Sequence, residues 1–155
     1  MADPVIMSLG ALGAAIMMGL AGAGSALGIG AAGPAAVGAW KKCYAQNKAA
    51  PFMLLAFVGA PLSQTIYGMI LMNQMIAAAT KGMPWQALVG VGIFGGLAVG
   101  LSALFQGRIG AAASDALAET GKGTGNYLMA LGIVETVAIF VLVFIGKAIS
   151  LPLPG

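Results

Sequence analysis

Long apolar runs separated by short polar stretches dominate this chain. Apolar and small residues fill about 5–38, 51–79, 87–113 and 126–149. Each run meets the ~20 residues that a helix needs to cross a hydrocarbon core of ~30 Å. The intervening stretches, Trp40-Lys-Lys-Cys-Tyr-Ala-Gln-Asn-Lys48, Thr80-Lys-Gly-Met-Pro-Trp85 and the segment from Ser114 to Gly125, hold most of the charge. Leu151-Pro-Leu-Pro-Gly155 breaks the last run. The pattern predicts an all-α membrane protein with four transmembrane helices.

The first and third runs follow one pattern. Residues 19–36 and 96–113 align at a constant offset of 77, with ten positions coinciding, among them Ser25 with Ser102 and Leu27 with Leu104. A weaker match sets Gln64-Thr65 against Glu135-Thr136. The chain therefore reads as two tandem duplicated helical hairpins, 1–80 and 81–155, lying in the membrane in the same orientation. Six glycines fall between positions 19 and 33, and pairs such as Gly24/Gly28 and Gly96/Gly100 have the small-xxx-small spacing. That spacing lets helix backbones approach closely in lipid, where no hydrophobic force drives them together. Spans two and four carry Phe, Leu, Ile, Met and Val instead. Glycine-rich inner helices and bulky outer ones are the expected result, an arrangement suited to a ring. A nucleotide-binding loop is a poor reading of these glycines, since no Lys-Ser/Thr pair follows them and no strand precedes them.

Composition narrows the function. The 155 residues are 60% hydrophobic and 7% charged, with a mean hydropathy of +0.99. Soluble domains are about one quarter charged, so no separate soluble domain is expected and no catalytic site within the chain. A net charge of +3, from a handful of lysines, is too small for a nucleic-acid footprint. Histidine is absent and Cys43 is the single cysteine, which excludes an internal disulfide and a Cys/His metal site. The N-terminus lacks a basic region and carries Asp3, so a signal peptide is not expected. Lys41, Lys42 and Lys48 in the first loop and Lys122 in the third outnumber Lys81 and Lys147 on the other side. Loops one and three are thus expected in the cytoplasm and both termini outside.

Glu135 is the one acidic residue that a membrane-spanning reading cannot move to a helix end. An ionisable group at that depth costs a few kcal/mol and marks a functional site. Gln64, about thirteen residues into span two, and Gln106, about eight from the end of span three, lie roughly 12–20 Å below the same surface as Glu135 at ~1.5 Å per residue. Gln64 and Tyr67 share a helix face, with Ser63 one position round. Pro61 removes a helix N–H, which frees carbonyls near Phe57 to Ala60 to turn inward. One carboxylate among amide, hydroxyl and carbonyl oxygens suits a hard monovalent cation. A proton alone requires only the carboxylate. Arg108, near the end of span three, is expected to extend toward the head groups.

With these features the chain resembles the sixteen-kilodalton-type proteolipid of the membrane rotor in vacuolar-type (V-type) rotary ATPases, with the bacterial sodium-type members most similar. The likeness extends over nearly the whole chain and is most specific at Ala60-Pro-Leu-Ser-Gln-Thr-Ile-Tyr-Gly68, Leu104-Phe-Gln-Gly-Arg-Ile-Gly110 and Ile133-Val-Glu-Thr-Val137. It implies a homo-oligomeric ring in a bacterial cell membrane, turning against a static membrane subunit whose arginine displaces the ion. Central-stalk subunits would contact loops 40–50 and 114–125. It implies Na+ held by Glu135, Gln64, Gln106, Ser63 and the Ala60 carbonyl, with Tyr67 bonded to the carboxylate and H+ as the alternative ion. Ser63 stands where threonine is more usual and keeps the oxygen. Gln64 in place of a second carboxylate implies one ion per four helices. A small proton-coupled multidrug exporter also has four spans and one buried glutamate, but it would carry that glutamate in span one among aromatic residues.

Overall fold

The computed structural model describes residues 4–151. Helix α1 spans Pro4–Ala45, α2 Leu54–Gly59, α3 Ser63–Thr80, α4 Trp85–Thr120 and α5 Thr124–Ile149, and a 3-10 turn over Ala60–Leu62 joins α2 to α3. No strand occurs among the described residues. Four stretches are long and apolar enough to cross a bilayer: Met7–Ala45, Leu54–Thr80, Trp85–Thr120 and Thr124–Ile149. The all-helical, four-span architecture is the one the hydropathy pattern predicts.

The helix ends differ from that pattern. Span one continues through the expected polar loop to Ala45, and span three runs past residue 113 to Thr120. The reason is physical: Lys, Glu, Ala and Leu are all good helix formers, so charge marks the exit from lipid without ending the helix. At ~1.5 Å per residue, the 42 residues of α1 and the 36 of α4 far exceed a core of ~30 Å. Both helices therefore project beyond the bilayer, and Lys42 bonds Glu119 on that projection. Span two begins its helix at Leu54, three residues later than expected. Gly121, at φ 64°, ends α4 in the left-handed conformation, its N–H donating to Leu117 O at 2.8 Å.

The tightest contact in the chain joins α1 to α4, which run parallel. Gly13 lies on Leu88 and Gly92, Gly24 on Gly100, and Gly28 on Ala103 and Gly107. A Cβ on any of these α1 glycines would overlap the facing backbone, so close approach requires glycine here. Partners are offset by close to 77 residues along the whole length, as Lys42 and Glu119 are. The repeat offset is thus also the packing register. Helices α3 and α5 lie outside this pair. Only 11% of the α5 span is buried against 44% of the α4 span, and Ile133, Val137, Phe140 and Phe144 are exposed on it. One apolar cluster, containing Met17, Leu71, Met75 and Leu88, fills the end near the chain termini. A second, containing Leu54, Phe57, Leu117 and Leu131, fills the end near Lys42. A polar layer separates them.

Candidate functional site

The polar layer is built first by Pro61. Lacking an N–H, it cannot continue regular α-helical bonding, and the chain tightens into the 3-10 turn, where Ser63 N–H bonds Ala60 O. The Ser63 hydroxyl faces the same carbonyl at 3.0 Å and Gln64 Oε1 at 3.1 Å, and its one proton serves either acceptor. One turn on, Gly68 brings α3 against α1: a Cβ there would stand 2.5 Å from that of Ala21. Gln64 is thereby pressed into the bundle, with 0% of its surface exposed.

From Gln64 the hydrogen bonds run across three helices. Its Nε2 donates to Gln106 Oε1 at 2.9 Å and to Ser102 Oγ at 3.4 Å on α4. Gln106, also 0% exposed, donates from Nε2 to Leu131 O at 3.1 Å and to Glu135 Oε2 at 3.3 Å on α5. Tyr67 Oη donates to Glu135 Oε1 at 2.8 Å. Ser102 Oγ donates to Val134 O at 2.9 Å, fixing α5 to α4 one residue before the carboxylate. Each of these side chains finds an acceptor for its proton, as burial in an apolar bundle demands.

The charge itself has no such partner. Two neutral donors face the Glu135 carboxylate, while the ion pairs among the described residues join Lys42 to Glu119 and Asp115. Arg108 is exposed, 5.3 Å over the ring of Phe105, and makes no ion pair with Glu135. A lone carboxylate in a bundle that faces lipid is a standing energetic cost. No group of three or more His, Cys, Asp or Glu occurs among the described residues. The donor set is therefore one charge plus neutral oxygens, which matches a monovalent hard cation or a proton and not a transition metal.

Ser63, Gln64, Tyr67, Gln106 and Glu135 all fall in one network, as a common depth implied. The Ala60 carbonyl lies beside it, engaged by both groups of Ser63. Thr136 points away, exposed, donating to Ile133 O at 2.6 Å. Ser102 is the member of the network that sequence reasoning does not assign to the site, although its coincidence with Ser25 in the repeat is a signal. Ser25 itself is 3% exposed, and its hydroxyl has no hydrogen-bond partner among the described residues. A cleft of about 540 Å³ between α3 and α5 lies toward the terminal end, with Gln74, Lys81 and Lys147 but no carboxylate in its lining, so it is separate from this layer.

Together, four helices long and apolar enough to span a bilayer, with Glu135 in the polar layer between them, define an integral, multi-pass membrane protein. Residues 89–145 match the family of the ATP synthase C subunit. The matched segment covers most of α4 and α5 and includes Ser102, Gln106 and Glu135; Gln64 and Tyr67 lie outside it. A comparison with curated proteins gave no match.

Proposed function

We propose that this chain is the rotor-ring subunit of a V-type rotary ATPase and carries Na+ across the membrane on Glu135. The observation that carries the reading is the continuous network from Ser63 through Gln64 and Gln106 to Glu135. It links Ser63, Gln64 and Gln106, each with a side-chain oxygen, to one carboxylate that Tyr67 also bonds, more than a proton carrier requires. The match to the ATP synthase C subunit family over 89–145 supports the rotor role. ATP would be hydrolysed in other subunits and reach this chain as rotation.

The cycle follows from electrostatics. A bare carboxylate crosses lipid only at high cost, so the site must be neutral while its face turns through the bilayer. Bound Na+ neutralises Glu135, with Gln64, Gln106, Ser63 and the Ala60 carbonyl replacing the water oxygens that the ion gives up. Tyr67 holds the carboxylate from the other side. An arginine on a static membrane subunit would compete for Glu135 and release the ion. The projecting ends of α1 and α4 would be the surface for central-stalk subunits, at 40–50 and 114–125. These ends lie in the cytoplasm of a bacterial cell in this reading, with the termini outside. Gln64 at the position matching Glu135 leaves one ion per chain.

A second reading has a specific observation in its favour. The Gln64 and Gln106 amide oxygens already accept protein hydrogen bonds, and Glu135 accepts two. A protonated Glu135 could use that arrangement with little change, making H+ the cargo of the same rotor. Labelling by a hydrophobic carbodiimide separates the two. For a sodium site, dicyclohexylcarbodiimide modifies Glu135 alone and millimolar Na+ slows the reaction at constant pH. Labelling that follows pH and ignores Na+ throughout would reject Na+ and retain the proton rotor.

A further inference from the structure

The cleft between α3 and α5, about 540 Å³ in volume, takes no part in the polar layer. Ile70, Gln74, Ala77 and Lys81 line it from α3 and its C-terminal cap, at the three- and four-residue spacing of one helix face. Leu142 with Gly146, and Val143 with Lys147, line it from α5 at four-residue spacing. No residue of α1 or α4 enters the lining, so the cleft opens away from the inner helix pair and onto lipid. Both α3 and α5 end at this cleft, so their residues rank by depth in the same order.

Polarity falls with that depth. Lys81 and Lys147 stand exposed at the mouth and make no ion pair among the described residues, and no carboxylate lines the cleft. At the opposite end of the bundle Lys42 is matched by Glu119 and Asp115. Gln74 precedes Lys81 by seven residues, which sets it roughly 10 Å deeper at ~1.5 Å per residue. Its carboxamide has no hydrogen-bond partner among the described residues. Gly146 faces it: a Cβ there would stand 2.5 Å from Gln74 Oε1, and its absence lets the amide lie against α5. The remaining wall, Ile70, Leu142 and Val143, is apolar. An amide at lipid depth without an acceptor is a cost that a bound acceptor removes.

We propose that this cleft holds one anionic phospholipid from the leaflet on the side of the chain termini. The order of the wall is the order of the ligand. Lys81 and Lys147 take the phosphate, Gln74 donates to a glycerol ester carbonyl below it, and an acyl chain runs along Ile70, Leu142 and Val143. Two like charges lining one cleft repel each other, and a phosphate between them offsets that repulsion. A zwitterionic headgroup would add a cation where no carboxylate is present to receive it, so the site selects net negative charge. The lipid ties the ends of α3 and α5 together, as Tyr67 and Glu135 tie these helices at the polar layer. Such a site needs only the membrane-spanning fold and is indifferent to the ion that Glu135 carries.

Spin-labelled lipids test the site. The protein as assembled in its membrane is purified and reconstituted into phosphatidylcholine vesicles with a trace of spin-labelled phosphatidylglycerol or phosphatidylcholine, and the immobilised fraction is read by electron paramagnetic resonance. The parent is expected to prefer phosphatidylglycerol by roughly tenfold or more, as two lysines at a membrane surface allow. Lys81→Gln with Lys147→Gln should bring the preference near parity, and Lys81→Arg with Lys147→Arg should keep it. Ala77→Phe, at an exposed position on the cleft wall, should lose it with every charge retained. Lys41→Gln with Lys122→Gln removes the same charge at the other end and should keep it. No preference in the parent would overturn the site, as when a second copy or the chain's own end covers the cleft. A preference that survives the paired glutamine exchange, or falls equally in the Lys41 and Lys122 control, would also overturn it. Full preference in Ala77→Phe would leave two surface charges and no lipid in the cleft.

Discussion

Tyr67 Oη donates to Glu135 Oε1 at 2.8 Å, joining the outer helices α3 and α5 at a carboxylate held between them. The bond crosses the two hairpins, so it links the first half of the chain to the chemistry of the second. A hydrogen bond to a charged group contributes about 1.5–3 kcal/mol. Tyr67→Phe keeps the ring and its packing and removes the hydroxyl. Sodium affinity is expected to fall roughly tenfold or more by that figure, with ring assembly unchanged. Protection of Glu135 from carbodiimide by graded Na+ measures it, and an unaltered half-protecting concentration would remove Tyr67 from the site.

Much of this arrangement is legible in the sequence, for stated reasons. Glu135 stands out because lipid penalises charge, and Gln64, Tyr67 and Gln106 can be placed with it because helical rise converts residue counts into depth. The helix ends are not legible. Hydropathy locates the lipid boundary, but Lys41, Lys42 and Glu119 continue a helix nearly as well as alanine does. Ser102 is visible in the repeat but is not assigned to the site, because a serine among glycines and alanines is a packing residue as often as a ligand. Its role depends on Gln64 and Val134 lying beside it, which only the tertiary fold determines. In the sequence the repeat offset is only a spacing between similar segments. That it also sets the α1·α4 register requires coordinates.

Gln106 serves three partners at once. It accepts from Gln64 and donates to Leu131 O and Glu135 Oε2. Gln106→Leu is close in volume, so it leaves little cavity, yet it orphans a buried Gln64 amide hydrogen and removes a donor from the carboxylate. An unsatisfied buried polar group costs about 1–3 kcal/mol. Sodium affinity is expected to drop further than in Tyr67→Phe, while the thermal stability of the extracted ring falls modestly. Titrating Na+ protection on the two variants side by side is decisive. Equal affinity to the parent would reduce Gln106 to interhelical packing.

Glu135→Gln tests the charge with the shape preserved. The amide oxygen can still accept from Gln106 while its NH2 donates to the Tyr67 hydroxyl oxygen, so helix packing and ring assembly should survive. The site loses its only formal charge and with it, in the rotor reading proposed above, any exchange of a cation. Ion transport coupled to ATP hydrolysis is expected to fall to background, and carbodiimide labelling of the chain to vanish. Normal ion pumping by this variant would end the mechanism for Na+ and H+ alike.

The glycines make the sharpest stability prediction, because two similar substitutions should behave oppositely. A Cβ on Gly107 would overlap the Gly28 backbone of α1, which has no side chain to move aside. Gly107→Ala must push the helices apart along their tightest contact. Forced overpacking costs about 1–3 kcal/mol, and more where backbone must shift. Gly132, on α5, has nothing within 4 Å of an added Cβ. There the exchange to alanine removes a helix cost of about 0.8–1.0 kcal/mol and meets no neighbour in the chain. Gly107→Ala is therefore expected to accumulate poorly and melt earlier than the parent after extraction, and Gly132→Ala to match or exceed it. If the two variants melt together, the α1·α4 backbone contact is not what holds this subunit.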